Sequence, residues 1–378
     1  MKTDANNILR ENGSDALRAA FDCATDPFAE KPPCVHVSDW VKSFTPPDYV
    51  VEGVLQRGFF YSMTGRTGSG KTSIAIRLSA AVGHPNTGQH FGPYEVEPGR
   101  VLYIPAENHV DVQMRFIGLS HRLRIDLSRF NLMIDYDAEK LAKNFDVEFT
   151  RIQKQFENQN NLSLVIIDTS PAMFQGDEEN SNAQIGNHAR RLRKFTTLPG
   201  KPSVIALCHP TKNASDPDHL IPRGGGAYLA EVDGNLSVWD HGDRLADLHW
   251  CGKFRGPSFE KFTFKHETIN TMQLMDTKGR LIPTVVSRLV SEEEIQEAEH
   301  TAVSQEDQLL TAILEDPKGT LETWATACGW KNKYVAMRVA EQLKKLRLIR
   351  KRGRDIVLTK DGRSAATKAR KIDGEACE

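Results

Sequence analysis

The sequence predicts an α/β protein with a mainly parallel sheet, antiparallel hairpins at one edge, and a small C-terminal domain of helices and one hairpin. Three observations predict it. From Val50 to about Pro283, short apolar runs alternate with helical patterns. The segment Gly65-Arg66-Thr67-Gly68-Ser69-Gly70-Lys71-Thr72 joins one such run, Phe59–Met63, to a helical pattern through Ile74, Ile76, Leu78, Ala81 and Val82. Beyond Ser304, three helical stretches precede two short strands.

With 378 residues the chain is long enough for two domains. A hydrophobic content of 39%, a charged content of 26% and a net charge of −1 describe an ordinary globular composition. Six cysteines without a C-x-x-C pair read as free thiols in a reducing compartment. Met1–Arg10 lacks an apolar core, which argues against a signal peptide, and no apolar run nears the ~20 residues of a membrane span. The expected location is the cytoplasm. His84, His109 and His241 lack metal-ligand spacing.

Residues 1–45 read as a polar arm with a helical stretch over Ala16–Phe21 and a proline pair at Pro32-Pro33, and a second pair, Pro46-Pro47, follows it. Residues 46–285 form the core. Its clearest strands, Val101–Ile104, Leu164–Ile167 and Val204–Leu207, are continuously apolar, as suits strands covered on both faces. Leu236–Trp239 and Arg244–Cys251 flank a His-Gly-Asp turn, and Phe259–Phe264 alternates, which predicts edge hairpins. Residues 286–303 read as an acidic connector, helix-like over Ser291–Glu299. In 304–371, helices are expected over Ser304–Leu314, Leu321–Ala327 and Asn332–Leu346, the last with Val335, Val339, Leu343 and Leu346 on one face. Strands Leu348–Arg352 and Ile356–Thr359 then turn at Gly353-Arg354, completing the order of a winged helix. Residues 372–378 are a tail.

The chemistry starts at the phosphate-binding loop. Its glycines let the backbone turn several N–H groups toward phosphates, Lys71 reaches the β- and γ-phosphates, and the Thr72 hydroxyl is placed to hold Mg²⁺. Gly65, Arg66, Thr67, Gly68, Ser69, Gly70, Lys71, Thr72 and Ser73 are therefore the expected ATP contacts. Leu162–Thr169 is an apolar strand ending in Asp168, which would hold Mg²⁺ through water together with Thr72. Glu107 follows strand Val101–Ile104, where a carboxylate can orient an attacking water or merely cap a helix. His209 ends strand Val204–Leu207, beside the expected γ-phosphate or simply hydrogen-bonded at a strand end. Arg223-Gly224-Gly225-Gly226 and Lys253-Phe254-Arg255-Gly256-Pro257 read as solvated turns or as cations brought to a γ-phosphate.

In order, the pieces are Pro46-Pro47-Asp48-Tyr49-Val50-Val51-Glu52-Gly53, the phosphate loop, Ala106-Glu107, Asp168-Thr169-Ser170-Pro171, Gly176-Asp177-Glu178-Glu179-Asn180-Ser181, His209-Pro210-Thr211-Lys212, Arg223-Gly224-Gly225-Gly226-Ala227 and Lys253–Pro257. With them, roughly Thr45 to Gly256 resembles the RecA-like P-loop ATPases of the RepA-type hexameric replicative helicase family. The resemblance implies Glu107 as catalytic glutamate and His209 as nucleotide sensor. It also implies Arg223 or Arg255 as a finger reaching the next subunit, with Lys253 beside it. Loops Phe174–Asn182 and Asn213–Arg223 would face a central channel holding single-stranded DNA. The family tends to carry two histidines where this chain has Cys208-His209, and here the Lys-x-Arg element is one residue short. A primase or loader-binding N-terminal domain is not expected from the first 45 residues.

Lys331–Lys371 holds fifteen Lys/Arg against three acids, whereas Ser291–Asp316 holds nine acids and no Lys/Arg. A charge run is commonly a solvated face. On the third helix and the wing it instead suits duplex DNA. The expectation is an ATP-hydrolysing, DNA-interacting motor, a ring hexamer serving plasmid, phage or mobile-element replication. The alternative is a non-motor, ATP-gated DNA-binding replication, partition or transcription regulator.

Overall fold

The computed structural model describes residues 10, 13–16, 18, 34–87, 90–158, 162–178, 181–211, 214, 216–242, 244–353 and 355–375. It divides into two compact units, Met1–Pro47 and Asp48–Glu378. The first contains helix α1 (Val37–Lys42), entered through His36, whose ring nitrogen accepts from the Ser38 N–H. The sequence reading assigned no helix there. Of the stretch expected over Ala16–Phe21, Ala16 and Arg18 are helical, and its other residues lie outside the described ones, as do Lys31–Pro33.

In the second unit, β1 (Tyr49–Val51) and β2 (Leu55–Gln56) precede β3 (Phe60–Gly65), the phosphate loop and α2 (Lys71–Gly83). A two-residue hairpin, β4 (His90–Phe91) and β5 (Tyr94–Glu95), leads to β6 (Arg100–Pro105), α3 (His109–Leu123), β7 (Leu132–Ile134), α4 (Ala138–Lys143) and α5 (Phe145–Phe156). Then come β8 (Leu162–Asp168), α6 (Asn182–Arg193), β9 (Ser203–Cys208), α7 (Gly225–Glu231), β10 (Gly234–Gly242), β11 (Leu245–Phe254), β12 (Phe262–Ile269) and β13 (Thr284–Leu289). The sheet order is β13-β12-β11-β10-β3-β9-β8-β6-β7. The run from β10 to β7 is parallel and the run from β10 to β13 antiparallel.

Side chains alternate across the parallel strands as the two-residue repeat requires. Tyr61, Met63, Val101, Tyr103, Leu164, Ile166, Ile205 and Leu207 pack on the face of α2 and α3. Phe60, Leu102, Ile104, Val165, Ile167, Val204 and Ala206 pack on the face of α4, α5, α6 and α7. Both faces being covered explains why these strands are apolar throughout. Between β3 and β10 a buried polar clamp fixes the pairing. Asn235 Oδ1 accepts from the Ser62 and Thr64 hydroxyls at 2.9 and 2.7 Å, and its amide donates to the Leu220 and Cys251 carbonyls.

The C-terminal region consists of α8 (Glu292–Glu315), α9 (Leu321–Ala327), α10 (Lys333–Lys345), β14 (Ile349–Arg352), β15 (Asp355–Leu358) and α11 (Lys360–Glu375). It has its own apolar cluster around Trp324, with Leu309, Ile313, Val339, Leu343 and Ile349.

Several expectations are corrected. The stretch Ser291–Glu299 is helical from Glu292, as expected, but 286–303 is not a separate connector: β13 runs to Leu289, and one helix from Glu292 continues into the helix expected from Ser304. A capping box starts it, with Ser291 Oγ accepting from Glu294 N–H and the Glu294 carboxylate accepting from Ser291 N–H. No glycine or proline then interrupts the chain before Glu315. Leu346 is exposed rather than on the packed face, because α10 ends at Lys345. The helix α11 was not foreseen; it occupies much of the expected tail, of which 376–378 lie outside the described residues, as do Asp243 and Arg354 of the two expected turns. Strand β12 starts at Phe262 rather than Phe259. Cys34, Cys208, Cys251 and Cys328 are free thiols, and among the described residues no helix is long and apolar enough to cross a membrane.

Asp233, buried just before β10, accepts from Phe60 N–H, twice from Arg193 and once from Arg255. Asp233→Ala strands all of these donors and should lower stability by about 2–3 kcal/mol, discounted because both guanidiniums reach solvent. Arg255→Ala leaves Arg193 in place and should cost under about 1 kcal/mol. Urea midpoints of the two variants check the ranking.

Candidate nucleotide site

Strand β3 delivers a fully buried backbone to the phosphate loop, and the loop's glycines answer distinct constraints. Gly68 and Gly70 sit at φ +83 and +85, in the left-handed region. A Cβ on Gly70 would also strike the His266 imidazole, and one on Gly65 would meet Ser69 Oγ and the Val238 carbonyl. Helix α2 starts at Lys71 with no side chain capping its N-terminus, so its first-turn N–H groups remain for an anion.

Lys71 is buried, and its Nζ donates to the Gly65 and Arg66 carbonyls at 2.7 and 2.9 Å. Burial holds its pKa below the usual lysine range, against the opposing pull of Asp168, Cys208 and Glu107. Asp168 is nearly inaccessible. Its Oδ1 accepts from the Thr72 hydroxyl at 3.2 Å and its Oδ2 from the Tyr103 hydroxyl at 2.7 Å. Burial pushes its pKa up, opposed by those hydrogen bonds. The Asp168 carbonyl accepts from the N–H groups of Ala106 and Glu107, which seats Glu107 beside it at the end of β6. The Thr169 hydroxyl donates to Glu107 Oε2 at 3.2 Å.

A cavity of about 540 Å³ brings Lys71, Thr72, Glu107, Asp168 and His209 together. That volume lies in the ~300–1,000 Å³ range of ligand pockets. It is also lined by groups the sequence reading did not single out: Asp111 and Arg115 of α3, Asp240 of β10, Arg244 just before β11, and His266 of β12. The pairing of Asp111 with Arg115, at 2.6 Å and four residues apart, was a local signal just after Glu107. His266 had none, since strand register alone brings it there: its N–H donates to the Arg244 carbonyl, and its Nδ1 shares a hydrogen bond with Ser287 Oγ.

Other expected residues sit elsewhere. Ser73 Oγ donates to the Val285 carbonyl of β13 and does not line the cavity. Arg66 lies over the Trp239 ring and donates to the Ala214 carbonyl. Lys253 Nζ donates to the Leu229 and Ala230 carbonyls near the end of α7, and Arg255 pairs with Asp233 at 2.9 Å. Neither Lys253 nor Arg255 lines the cavity of its own chain. Arg223 is exposed, its N–H donating to the His209 carbonyl, and it borders a second, small cavity with His209. Glu179, Asn180, Asn213 and Ser215 of the two expected channel loops lie outside the described residues, as does Lys212 just before the second.

The residues fit a nucleotide and its metal. Among the described residues no group of three or more His, Cys, Asp or Glu could hold a metal ion. Thr72 and Asp168 together suit Mg²⁺, which keeps waters and takes its remaining ligands from phosphates. A glycine-cradled helix N-terminus, a buried lysine and a strand-end aspartate separated from the loop strand by β9 define a nucleotide-binding P-loop domain of ATPase type. A family model described as an AAA domain matches residues 24–215, just over half of the chain, and the chain belongs to that family. The match contains the phosphate loop, Glu107, Asp168 and His209 and stops short of Arg223, Lys253 and Arg255. No curated protein matches the chain.

The raised pKa of Asp168 carries a sign. Stability is unaffected by its charge at low pH and is lost as pH rises through the folded-state value, because the fold disfavours the carboxylate. Asp168→Asn should therefore raise the thermal midpoint at neutral pH while lowering Mg²⁺-dependent affinity for ATP. Melting curves with parallel fluorescent-nucleotide titrations check both; a lower midpoint would contradict the burial argument.

Proposed function

We propose that this chain hydrolyses ATP and couples hydrolysis to DNA as a ring-forming motor of the RepA-type replicative helicase kind, serving a plasmid, phage or other mobile element. The observation that supports it best is Glu107, seated by the Asp168 carbonyl and facing Lys71 and Thr72 across one cavity. A nucleotide-only sensor has no use for a carboxylate there, whereas hydrolysis needs a group to orient water and take its proton. Lys71 exchanges its two loop carbonyls for phosphate oxygens, and Thr72 with Asp168 would hold Mg²⁺, which spreads the charge of the transferring phosphoryl group. His209, which follows β9 and lines the same cavity as Glu107, responds to the γ-phosphate. Arg223, or Arg255 with Lys253, acts on the cavity of a neighbouring subunit, which requires a ring.

The C-terminal region reads as a winged helix that binds duplex DNA, with α10 in the major groove and β14–β15 along the backbone. The exposed bases Lys333, Arg338, Lys344, Lys345, Arg350 and Lys351 support this, because they crowd those two elements. Single-stranded DNA would contact the loops ahead of α6 and α7.

Glu107→Gln should retain ATP binding and lose turnover by a factor on the order of 10² or more. Normal turnover in this variant would remove Glu107 from the mechanism.

A fragment beginning at Ser291 keeps the α8 cap and the Trp324 cluster. It should bind duplex DNA with a salt slope of about 0.9 per neutralised phosphate. Salt-indifferent binding, or none, would make the region a protein-docking module.

A further inference from the structure

The run Asp168-Thr169-Ser170 faces three ways at once. Asp168 meets Thr72 and Tyr103, and Thr169 meets Glu107. Ser170 turns to the other face of the sheet, where its Oγ lies 3.0 Å from His188 Nε2 and 2.9 Å from the Tyr228 hydroxyl. All three side chains are buried, and the Ser170 N–H donates to the Leu207 carbonyl, tying this point to β9 just before Cys208 and His209. His188 belongs to α6 and Tyr228 to α7, the two helices that follow the loops after β8 and β9. A single hydroxyl thus joins the nucleotide-side strand end to both helices.

The chemistry of the junction suits a mechanical link. Burial brings the His188 pKa down to about 4, so the imidazole is neutral in ordinary buffers, with one nitrogen donating and the other accepting. The Phe174 ring meets it edge-on at 5.4 Å, shielding the contact from water. A cavity of about 30 Å³ between Ser170, Phe174, His209 and Arg223 leaves room for the hydroxyl and its partners to shift together.

We propose that Ser170 is a positioning residue that carries changes at Asp168 and Thr169 through His188 and Tyr228 to α6 and α7, and so sets the loops leading into them by nucleotide state. That those loops hold single-stranded DNA rests on the proposed function; the link between nucleotide and helices does not.

The test uses the full chain as wild type, Ser170→Ala, Ser170→Thr and Tyr228→Phe. Amide hydrogen exchange is followed in peptides from α6 and α7, with and without ADP and Mg²⁺, beside ADP affinity and ATP turnover with and without single-stranded DNA. The wild type should show nucleotide-dependent exchange in both helices. Ser170→Ala should keep its ADP affinity and basal turnover, lose that exchange difference, and lose about fivefold or more of any stimulation by DNA. Ser170→Thr, which retains the hydroxyl, should restore both. If Ser170→Ala does not fold, Tyr228→Phe removes one partner and gives the same reading for α7. An unchanged exchange difference in Ser170→Ala or Tyr228→Phe, or none in the wild type, overturns the proposal. A wild type that DNA fails to stimulate counts against the proposed function alone, since the exchange measurement still decides the link.

Discussion

The Asp168 residue, at the carboxyl end of β8, fixes the site through three separate oxygens. One carboxylate oxygen takes the Thr72 hydroxyl, the other takes the Tyr103 hydroxyl, and the carbonyl takes the N–H groups of Ala106 and Glu107. The phosphate-loop helix, the strand carrying Glu107 and the strand carrying Asp168 are thereby held in one register. The interaction is costly, since burial pushes the carboxyl toward its neutral form while metal binding requires the charged one. Such a residue persists because the surrounding sheet, apolar on both faces, over-determines its position.

The antiparallel strands complete what the parallel strands begin. Strand β13 packs against both helices of the nucleotide face: its Val285 carbonyl accepts from Ser73 and Arg115, and a Cβ on Gly118 of α3 would collide with Thr284. This closure brings His266 against Gly70, where the imidazole Nε2 makes no hydrogen bond, and Ser69 Oγ is likewise unpaired. Two unpaired buried polar atoms cost about 1–3 kcal/mol each. Both lie at the loop that must reorganise around phosphates, so the cost falls where a ligand can relieve it by shifting the loop.

Legibility followed the locality of each cause. The four core strands and α2 were readable because their patterns are written in consecutive residues, and α10 because Asn332 caps it at its expected start. Strand β7 is three residues long and half exposed, too weak a pattern to register. Helix α8 was read as two pieces, a helix-like acidic connector over Ser291–Glu299 and a helix from Ser304, although no glycine or proline separates them; the Arg288–Glu294 pairing that anchors its start depends on β13. Lys71, Thr72, Glu107 and Asp168, which line one cavity, were singled out from motif and strand ends. His266, Arg244, Ser170, His188 and Tyr228 meet through register and the packing of distant helices, which no local spacing encodes.

In the proposed ring, Asp233 bears on which cation could leave its own chain's contacts for a neighbour's cavity. Arg193 contacts both of its carboxylate oxygens, and Phe60 N–H contacts one, whereas Arg255 supplies a single bond at 2.9 Å with a largely exposed side chain. Swinging Arg255 away leaves the buried carboxylate paired and hydrogen-bonded, so the movement forfeits little more than a surface ion pair. The backbone does not move with it, because Arg255 N–H stays on the Asp233 carbonyl. Lys253 is differently placed: leaving would uncover two carbonyls at the end of α7, the helix that Tyr228 ties to Ser170. In the proposed ring, a cation delivered to a neighbour would therefore come at lower cost from Arg255 than from Lys253. Any contact that did recruit Lys253 would act on α7, and through Tyr228 on the nucleotide site of its own chain.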